Sequence, residues 1–467
     1  MDNSLVMGLW WIPDVEDVKV NGTLSFNKDG TASLTLADSF KDGSRSDSET
    51  PSHYPVILGD TRDGKEMTLF EVYVTTRAGH AIAHGKVIER GPALRAQRAC
   101  VGAHLPLGGE TPVTSVRLVF THLADWVCGD LVFAEEKLSK DMLNLHVDYS
   151  YPAPFYFQGL DGTIGIGISL RQNDDLHSKA VSRQSFLQVV LDNPISFQDI
   201  RESKVKPFQY FLTFACGASA QLEELSFQVD DIGDQHGDQW IPRDIFEMIP
   251  DHEGDLSNHP YSWELLLPLS SIKERVEDVF SKWFAILGTA GSALDLYGSI
   301  FLGPPLYLET RFLYAAQALE VYHRRCSWFD GNDMPTFEWR KQWKKLQEAA
   351  RRYEPELESW VEKRDFIFNN EKRLRQRLHD LVEYGDDQVR RILRPDFVDV
   401  ATKTRHKLTH YDPKATGAEG EDLYWLSEEA IGLLEACILR DLGLTSTEVM
   451  AATSRTQRTR NLVARRK

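Results

Sequence analysis

A change of hydrophobic period near residue 260 constrains this 467-residue chain more than any single motif does. Up to about residue 245, short apolar alternations are broken by turn dipeptides. GTLSFNKDGTASLTL holds two alternating runs around Asp29-Gly30, and VILGDTRDGKEMTLFEVYV repeats the pattern around Asp63-Gly64. Asp-Gly between such runs marks a hairpin, because a tight turn needs left-handed backbone that glycine adopts without a Cβ clash. SVRLVFTHL, FYFQGLDGTIGIGISL, SFLQVVLD, QYFLTFACG and LEELSFQVDD continue in kind. After Pro260 the apolar residues recur every three to four positions in KERVEDVFSKWFAILGTAGSALDLYGSIF, TRFLYAAQALEVYHRR, FEWRKQWKKLQEAARRY, EKRLRQRLHDLVEY and LSEEAIGLLEACILRDLG, the spacing of amphipathic helices. Pro304-Pro305, Pro335, Pro395 and Pro413 punctuate them. The expected class is α+β, with an N-terminal antiparallel β-sandwich-like region followed by a C-terminal helical bundle. The boundaries read as a β-rich region over 1–250, a helical connector over 251–303, a helical domain over 304–446 and a disordered basic tail over 447–467.

Charge separates the halves further. The net charge is -17, but residues 301–467 hold 29 Lys+Arg against 27 Asp+Glu, or +2, which leaves 24 against 43, or -19, for residues 1–300. The ending TSRTQRTRNLVARRK has six basic residues and no acid, a composition that meets phosphates or simply stays solvated. The cysteines, Cys100, Cys128, Cys216, Cys326 and Cys437, are odd in number and widely spaced. That argues against a disulfide framework or a structural zinc site and for reduced, buried thiols. No uninterrupted apolar run approaches the roughly 18 residues of a membrane span, and the amino terminus lacks a basic segment followed by an apolar one. A cytoplasmic protein without a membrane association is the expectation.

The chemistry concentrates in Thr404-Arg405-His406-Lys407-Leu408-Thr409-His410-Tyr411-Asp412. His406 and His410 share a helix face, yet Lys407 stands where a metalloprotease helix carries its glutamate, and a cation there disfavours a metal. No metal or other cofactor is expected. Cleavage of RNA needs a base for the 2′-OH, an acid for the leaving 5′-oxygen and a cation for the phosphorane charge. Histidine suits the proton work and arginine the charge, since its planar fork grips phosphate oxygens. Arg405 and His410 supply both, although five residues apart they point about 140° from one another on a regular helix.

Arg405-His406-Lys407-Leu408-Thr409-His410 fits the R-x4-6-H signature of the HEPN superfamily. The upstream RFLYAAQALEVYHRR resembles the first long helix of the ApeA-type HEPN domain. GLWWIP followed by GTLSF, then the VILGDT hairpin and THLADW, is similar to the ApeA N-terminal β domain. The resemblance covers most of the chain. It implies a HEPN domain over 304–446 that is a metal-independent endoribonuclease leaving 2′,3′-cyclic phosphates, and an N-terminal region that senses or regulates. Such enzymes act as homodimers or higher homo-oligomers with a composite site. In anti-phage defence they arrest growth by abortive infection, here on an RNA substrate such as tRNA, after a phage-derived protein trigger. On that pattern His410 is the acid–base residue, Arg405 holds the scissile phosphate, His406 orients or assists, and Glu320 supports Arg405. Lys407, Arg324, Arg325 and Tyr411 are the RNA-binding candidates.

Structural roles compete with each assignment. Arg405 and His410 fit the basic end of a helix. Glu320 and Gln317 fit a satisfied buried polar pair, and His323, Arg324 and Arg325 fit a solvated helix end. Trp339 and Trp343 in the KQWKK segment suit an aromatic–basic RNA surface, though tryptophans four apart more often form a core stripe. Trp10, Trp11 and Trp126 read as packing residues. A non-catalytic HEPN module that only binds RNA or protein is the alternative function.

Overall fold

The computed structural model describes residues 5–466 except 14, 16, 41–50, 84–85, 128–133, 139–144, 150–154, 160, 175–178, 238, 251–260, 327, 363–369, 411–413 and 415. Cys128 and Tyr411 thus lie outside the described residues. The chain forms two units, one of residues 1–212, 219–262 and 268–277, the other of 278–467 with 213–218 and 263–267.

The first unit is antiparallel throughout its large sheet. Strands β1 (Val6–Trp11), β2 (Val20–Phe26), β3 (Ala32–Leu36), β4 (His53–Thr61), β5 (Glu66–Thr76) and β6 (Ala93–Val101) run in the spatial order β6-β3-β2-β1-β4-β5, and β5 pairs back onto β6. The sheet therefore closes into a barrel, a step that alternation alone does not reveal. Both Asp-Gly turns are where the sequence puts them, with Gly30 at φ +82 and Gly64 at φ +77. The barrel is filled by Trp10, Leu24, Leu34, Ile57, Leu69 and Val72, all essentially inaccessible. Trp10 lies opposite Gly59 in the register, and a Cβ there would sit 2.3 Å from the indole.

β6 also begins an open extension. Its edge pairs with β3 through Ala96 and then with β12 (Ile245–Glu247) from Cys100. Beyond β12 follow β11 (Leu222–Gln228), β7 (Pro112–Phe120), β10 (Lys179–Ser196), β9 (Gly162–Asp174) and β8 (Phe155–Gln158). At this branch the buried Glu247 accepts a bidentate pair from Arg98, 2.8 Å each, and a third bond from Arg201 at 2.6 Å. Trp11 and Trp126, the latter on helix α1 (Leu123–Val127), are buried as packing residues. QYFLTFACG, expected as a strand, lies in helix α2 (Lys206–Cys216). Its buried Phe208, Phe211 and Leu212 follow helical spacing, and Pro207 suits a first turn.

The second unit is helical: α3 (Val276–Phe301), α4 (Leu308–Arg325), α5 (Thr336–Tyr353), α6 (Pro355–Glu362), α7 (Leu374–Tyr384), α8 (Asp386–Arg390), α9 (Phe397–His410), α10 (Gly420–Asp441), α11 (Ser446–Arg455) and α12 (Gln457–Ala464). The stretch Lys273–Phe301 has the length and hydropathy, 1.3, that would suit a membrane span. Here it is a packed helix: Trp283, Leu294 and Tyr297 are buried, and Tyr297 donates to Glu435 at 2.8 Å. From residue 278 it belongs to the helical unit, so the stretch expected as a connector supplies core.

The centre of the unit is α10, buried almost without a break from Leu426 to Leu439. Cys100, Cys216, Cys326 and Cys437 are buried and form no disulfide among the described residues. The expected disordered tail is instead α11 and α12. Thr445 caps α11 in a reciprocal box with Glu448, and Thr456 caps α12. Arg458 enters the interior, where its Nε donates to Glu428 at 2.8 Å and its Nη1 to Glu435. A stretch read as solvated cations folds because α10 presents buried carboxylates to it.

Candidate active site

Helix α9 positions the motif. Its Phe397, Ala401 and Thr404 face inward, a four- and three-residue spacing that leaves the following Arg405 at the margin and turns His406 and His410 outward. The Thr404 hydroxyl accepts the Ala418 N–H at 2.9 Å, tying the start of α10 back onto the motif. Lys407 pairs with Glu419, whose carboxyl that ammonium hydrogen bond holds below its ordinary value. Thr409 bonds the Arg405 carbonyl at 2.7 Å. Helix α9 runs uninterrupted from Arg405 to His410, so both residues sit on one regular helix.

The structure brings two pairs together. His406 and His410, both exposed, hold their rings 4.6 Å apart. The half-exposed Arg405 reaches across to Glu320 of α4, 3.5 Å from Nη2 to Oε2. This is the expected partnership, long enough to be an ion pair and weak as a hydrogen bond. Glu320 is only partly buried and Gln317 is exposed, which leaves no buried polar pair at those positions. Arg324 and Arg325 are exposed, Arg324 within ion pairs to Glu320 and Glu371.

His323 departs from that reading. It is 0 % exposed and stacks on Phe329 at 4.6 Å. Its Nδ1 receives a bond from Arg377 at 3.0 Å, and Nε2 lies 2.6 Å from Asp380. Arginine can only donate, so Nδ1 is the acceptor and Nε2 carries the proton donated to Asp380. Burial pushes the imidazole below its ordinary value; the Asp380 bond opposes this and the Arg377 cation adds to it. For Asp380 burial acts the other way, but hydrogen bonds from Lys372 and His323 outweigh it and hold the carboxyl low.

A chain of charges links this interior to the motif. Glu320 takes Arg324 at 3.1 Å through its other oxygen, Arg324 takes Glu371 at 2.9 Å, and Glu371 lies 3.8 Å from Arg377. Sequence reading missed Glu371, Arg377 and Asp380. For Arg377 a signal existed: Leu374, Arg377, Leu378 and Leu381 stand at three- and four-residue spacing, so the arginine occupies an inward position of α7. Trp339 and Trp343, at 5.4 Å, are only half-buried, and Ala350 is the residue of α5 that is buried. The tryptophans therefore do not form a core stripe.

Chemically, α9 offers a guanidinium held by a carboxylate and, on its outward side, two accessible imidazoles. Residues 6–283 match ApeA N-terminal domain 1, and residues 313–448 match Apea-like HEPN. Neither the curated proteins nor the solved structures contain a match. With the first of these matches spanning more than half of its length and the second enclosing the motif helix, the chain belongs to the ApeA-type HEPN proteins of anti-phage defence.

Proposed function

We propose that this protein is a metal-independent endoribonuclease of the cytosol, which a phage component switches on through the N-terminal unit. The observation that carries the reading is Arg405, braced by Glu320 of α4, on the same helix, α9, that turns the His406–His410 pair outward. In the reaction His410 takes the proton of a 2′-OH, whose oxygen attacks phosphorus. The phosphorane's negative charge is met by Arg405, and the 5′-oxygen leaves with a proton from the same histidine of a second copy, giving a 2′,3′-cyclic phosphate. Arg405 and His410 diverge on one helix, which favours a homodimer whose composite site draws on both chains. His406 orients its neighbour, while Lys407, Arg324, Arg325 and Tyr411 contact the RNA. A tRNA loop suits as substrate, because single-stranded loops splay their bases for recognition.

The test is cleavage of total RNA in EDTA by the purified full chain and by His410→Ala. Cyclic-phosphate ends should appear with the wild type and fall by roughly 10²–10⁴-fold in the variant. Cutting that survives the substitution removes His410 from the chemistry. Cutting abolished by EDTA restores a metal mechanism, and RNA binding without cutting by the wild type makes the chain a binding module.

A further inference from the structure

Helix α5 has two unlike faces. At about 100° per residue, Trp339, Trp343, Leu346, Ala350 and Tyr353 fall within an arc of about 80°. Arg340, Lys341, Lys344, Lys345, Arg351 and Arg352 occupy an arc of about 140° on the opposite side. All six cations are exposed. Arg351 reaches Glu358 of α6 at 2.6 Å, and Glu348 is the one acid of the helix inside the basic arc. Phe337, 78 % exposed, projects from the middle of the same arc. The cations run from residue 340 to 352, about 18 Å along the axis.

The hairpin of α5 and α6 is rooted beside the motif. Asp333 N–H donates to the Asn370 carbonyl at 2.7 Å, Met334 N–H to the Asn370 side chain at 3.2 Å, and Lys372 N–H to the Gly331 carbonyl at 2.9 Å. These bonds clamp the segments on either side of the hairpin to each other. Within the clamp, Glu371 holds Arg324, Arg324 holds Glu320, and Glu320 faces Arg405. Two side chains, Arg324 and Glu320, thus connect the root of a basic helix to the candidate phosphate-binding arginine.

We propose that the basic face of α5 is an RNA-docking track that binds the phosphate backbone of the substrate, with Phe337 as a stacking platform for a base. The proposal rests on the nuclease reading of the motif for its substrate class. Its charge argument is local: an acidic protein of net charge -17 repels RNA at long range, so docking needs a compact positive stripe. A groove of cations interleaved with an aromatic is the pattern that holds single strands without sequence preference.

The experiment measures binding of a short labelled single-stranded RNA by the full-length His410→Ala chain between about 50 and 200 mM salt. It then adds Lys341→Gln, Lys344→Gln, Lys345→Gln and Arg352→Gln together. The fourfold variant should bind on the order of tenfold more weakly or worse, with a log–log salt slope shallower by up to roughly 2.8, or about 0.7 per lost phosphate contact. Phe337→Ala should weaken binding by roughly five- to hundredfold and leave the slope alone. Unchanged affinity and slope overturn the proposal, as does a polyglutamate peptide that binds as well as RNA and is lost in the same variant. Should the fourfold variant unfold on a thermal melt, Lys344→Glu alone must still flatten the slope. Because cutting has been removed from the assay, a wild type that never cleaves RNA leaves this test standing, and a cleaving enzyme with an unaltered slope sinks the docking track alone.

Discussion

Two stretches of the helical unit are rich in cations, α5 and the pair α11–α12, and they put those cations to opposite uses. On α5 the side chains face solvent around an exposed phenylalanine. On the C-terminal pair Arg458 folds inward while Arg460, Arg465 and Arg466 stay exposed but take partners within the chain. Arg458 bridges Glu428 and Glu435, Arg460 pairs with Glu264, Arg465 lies over the Trp425 ring at 5.2 Å, and Arg466 bonds the carbonyls of Arg390 and Arg391. The difference lies in what awaits the cations. Helix α10 turns Glu428, Glu429 and Glu435 into the interior, and carboxylates without partners there would cost several kcal/mol each. A basic segment beside buried acids sends an arginine into the core, as Arg458 does, whereas the lysines of α5 face solvent.

The comparison is broken most severely at Arg458. Among the described residues, Arg458→Ala leaves Glu435 with the Tyr297 hydroxyl, and Glu428 with Arg311 at 2.7 Å. It should cost about 3–5 kcal/mol, read as a lower midpoint in chemical denaturation with an unchanged slope. A variant as stable as the wild type would mean that the tail is ornamental and that both basic stretches are surface. The pH dependence runs the same way. Burial opposes ionisation of Glu428, but the Arg458 and Arg311 cations outweigh it and hold its carboxyl low. Its contribution is complete above the ordinary glutamate value of about 4.3 and is lost as pH falls through the depressed one.

The same contrast shows which features the sequence carries. The ion pair of Arg405 with Glu320 was legible because a short motif and an upstream helix could be placed together, and both hairpins were legible because Asp-Gly dictates its own turn. The tail was not, since six basic residues read alike whether they meet water or Glu428. His323 was misread for a related reason: beside Arg324 and Arg325 it looks like a solvated end, and only the inward turn of Arg377 and Asp380 makes it interior. QYFLTFACG carries both β-prone composition and helical spacing, and packing decided between them. The closure of β5 onto β6 pairs strands with no sequence mark for a neighbour.

His323 and His410 sharpen the contrast at intermediate size. One is buried with a fixed proton, the other exposed at a helix end. With the folded value of His323 below the ordinary one, the unfolded chain takes up its proton first as pH drops. Stability should therefore be fully present above about pH 6.5 and decline below it, by at most about 1.4 kcal/mol per pH unit, until the folded value is passed. The groups facing this ring are Asp380, Arg377 and, through Asp380, Lys372. Denaturation series at pH 7 and pH 5.5 should show the decline in the wild type and a smaller one in His323→Gln. An equal decline in both would assign the dependence elsewhere.

The smallest effect is expected where the proposed ligand contact is greatest. Lys344 on α5 is exposed, so Lys344→Ala should change stability by no more than about 0.5 kcal/mol. Glutamine and alanine both keep good helix propensity, which removes the backbone as a confounding cause. A loss of more than about 1 kcal/mol, in the range of a satisfied interior contact, would show that α5 is structural after all and erase its difference from α12. A null result in the melt combined with a flattened salt slope in RNA binding separates the two stretches cleanly. Cations that stabilise the fold have their anions within the chain, and cations that leave stability unchanged while controlling affinity have theirs outside it.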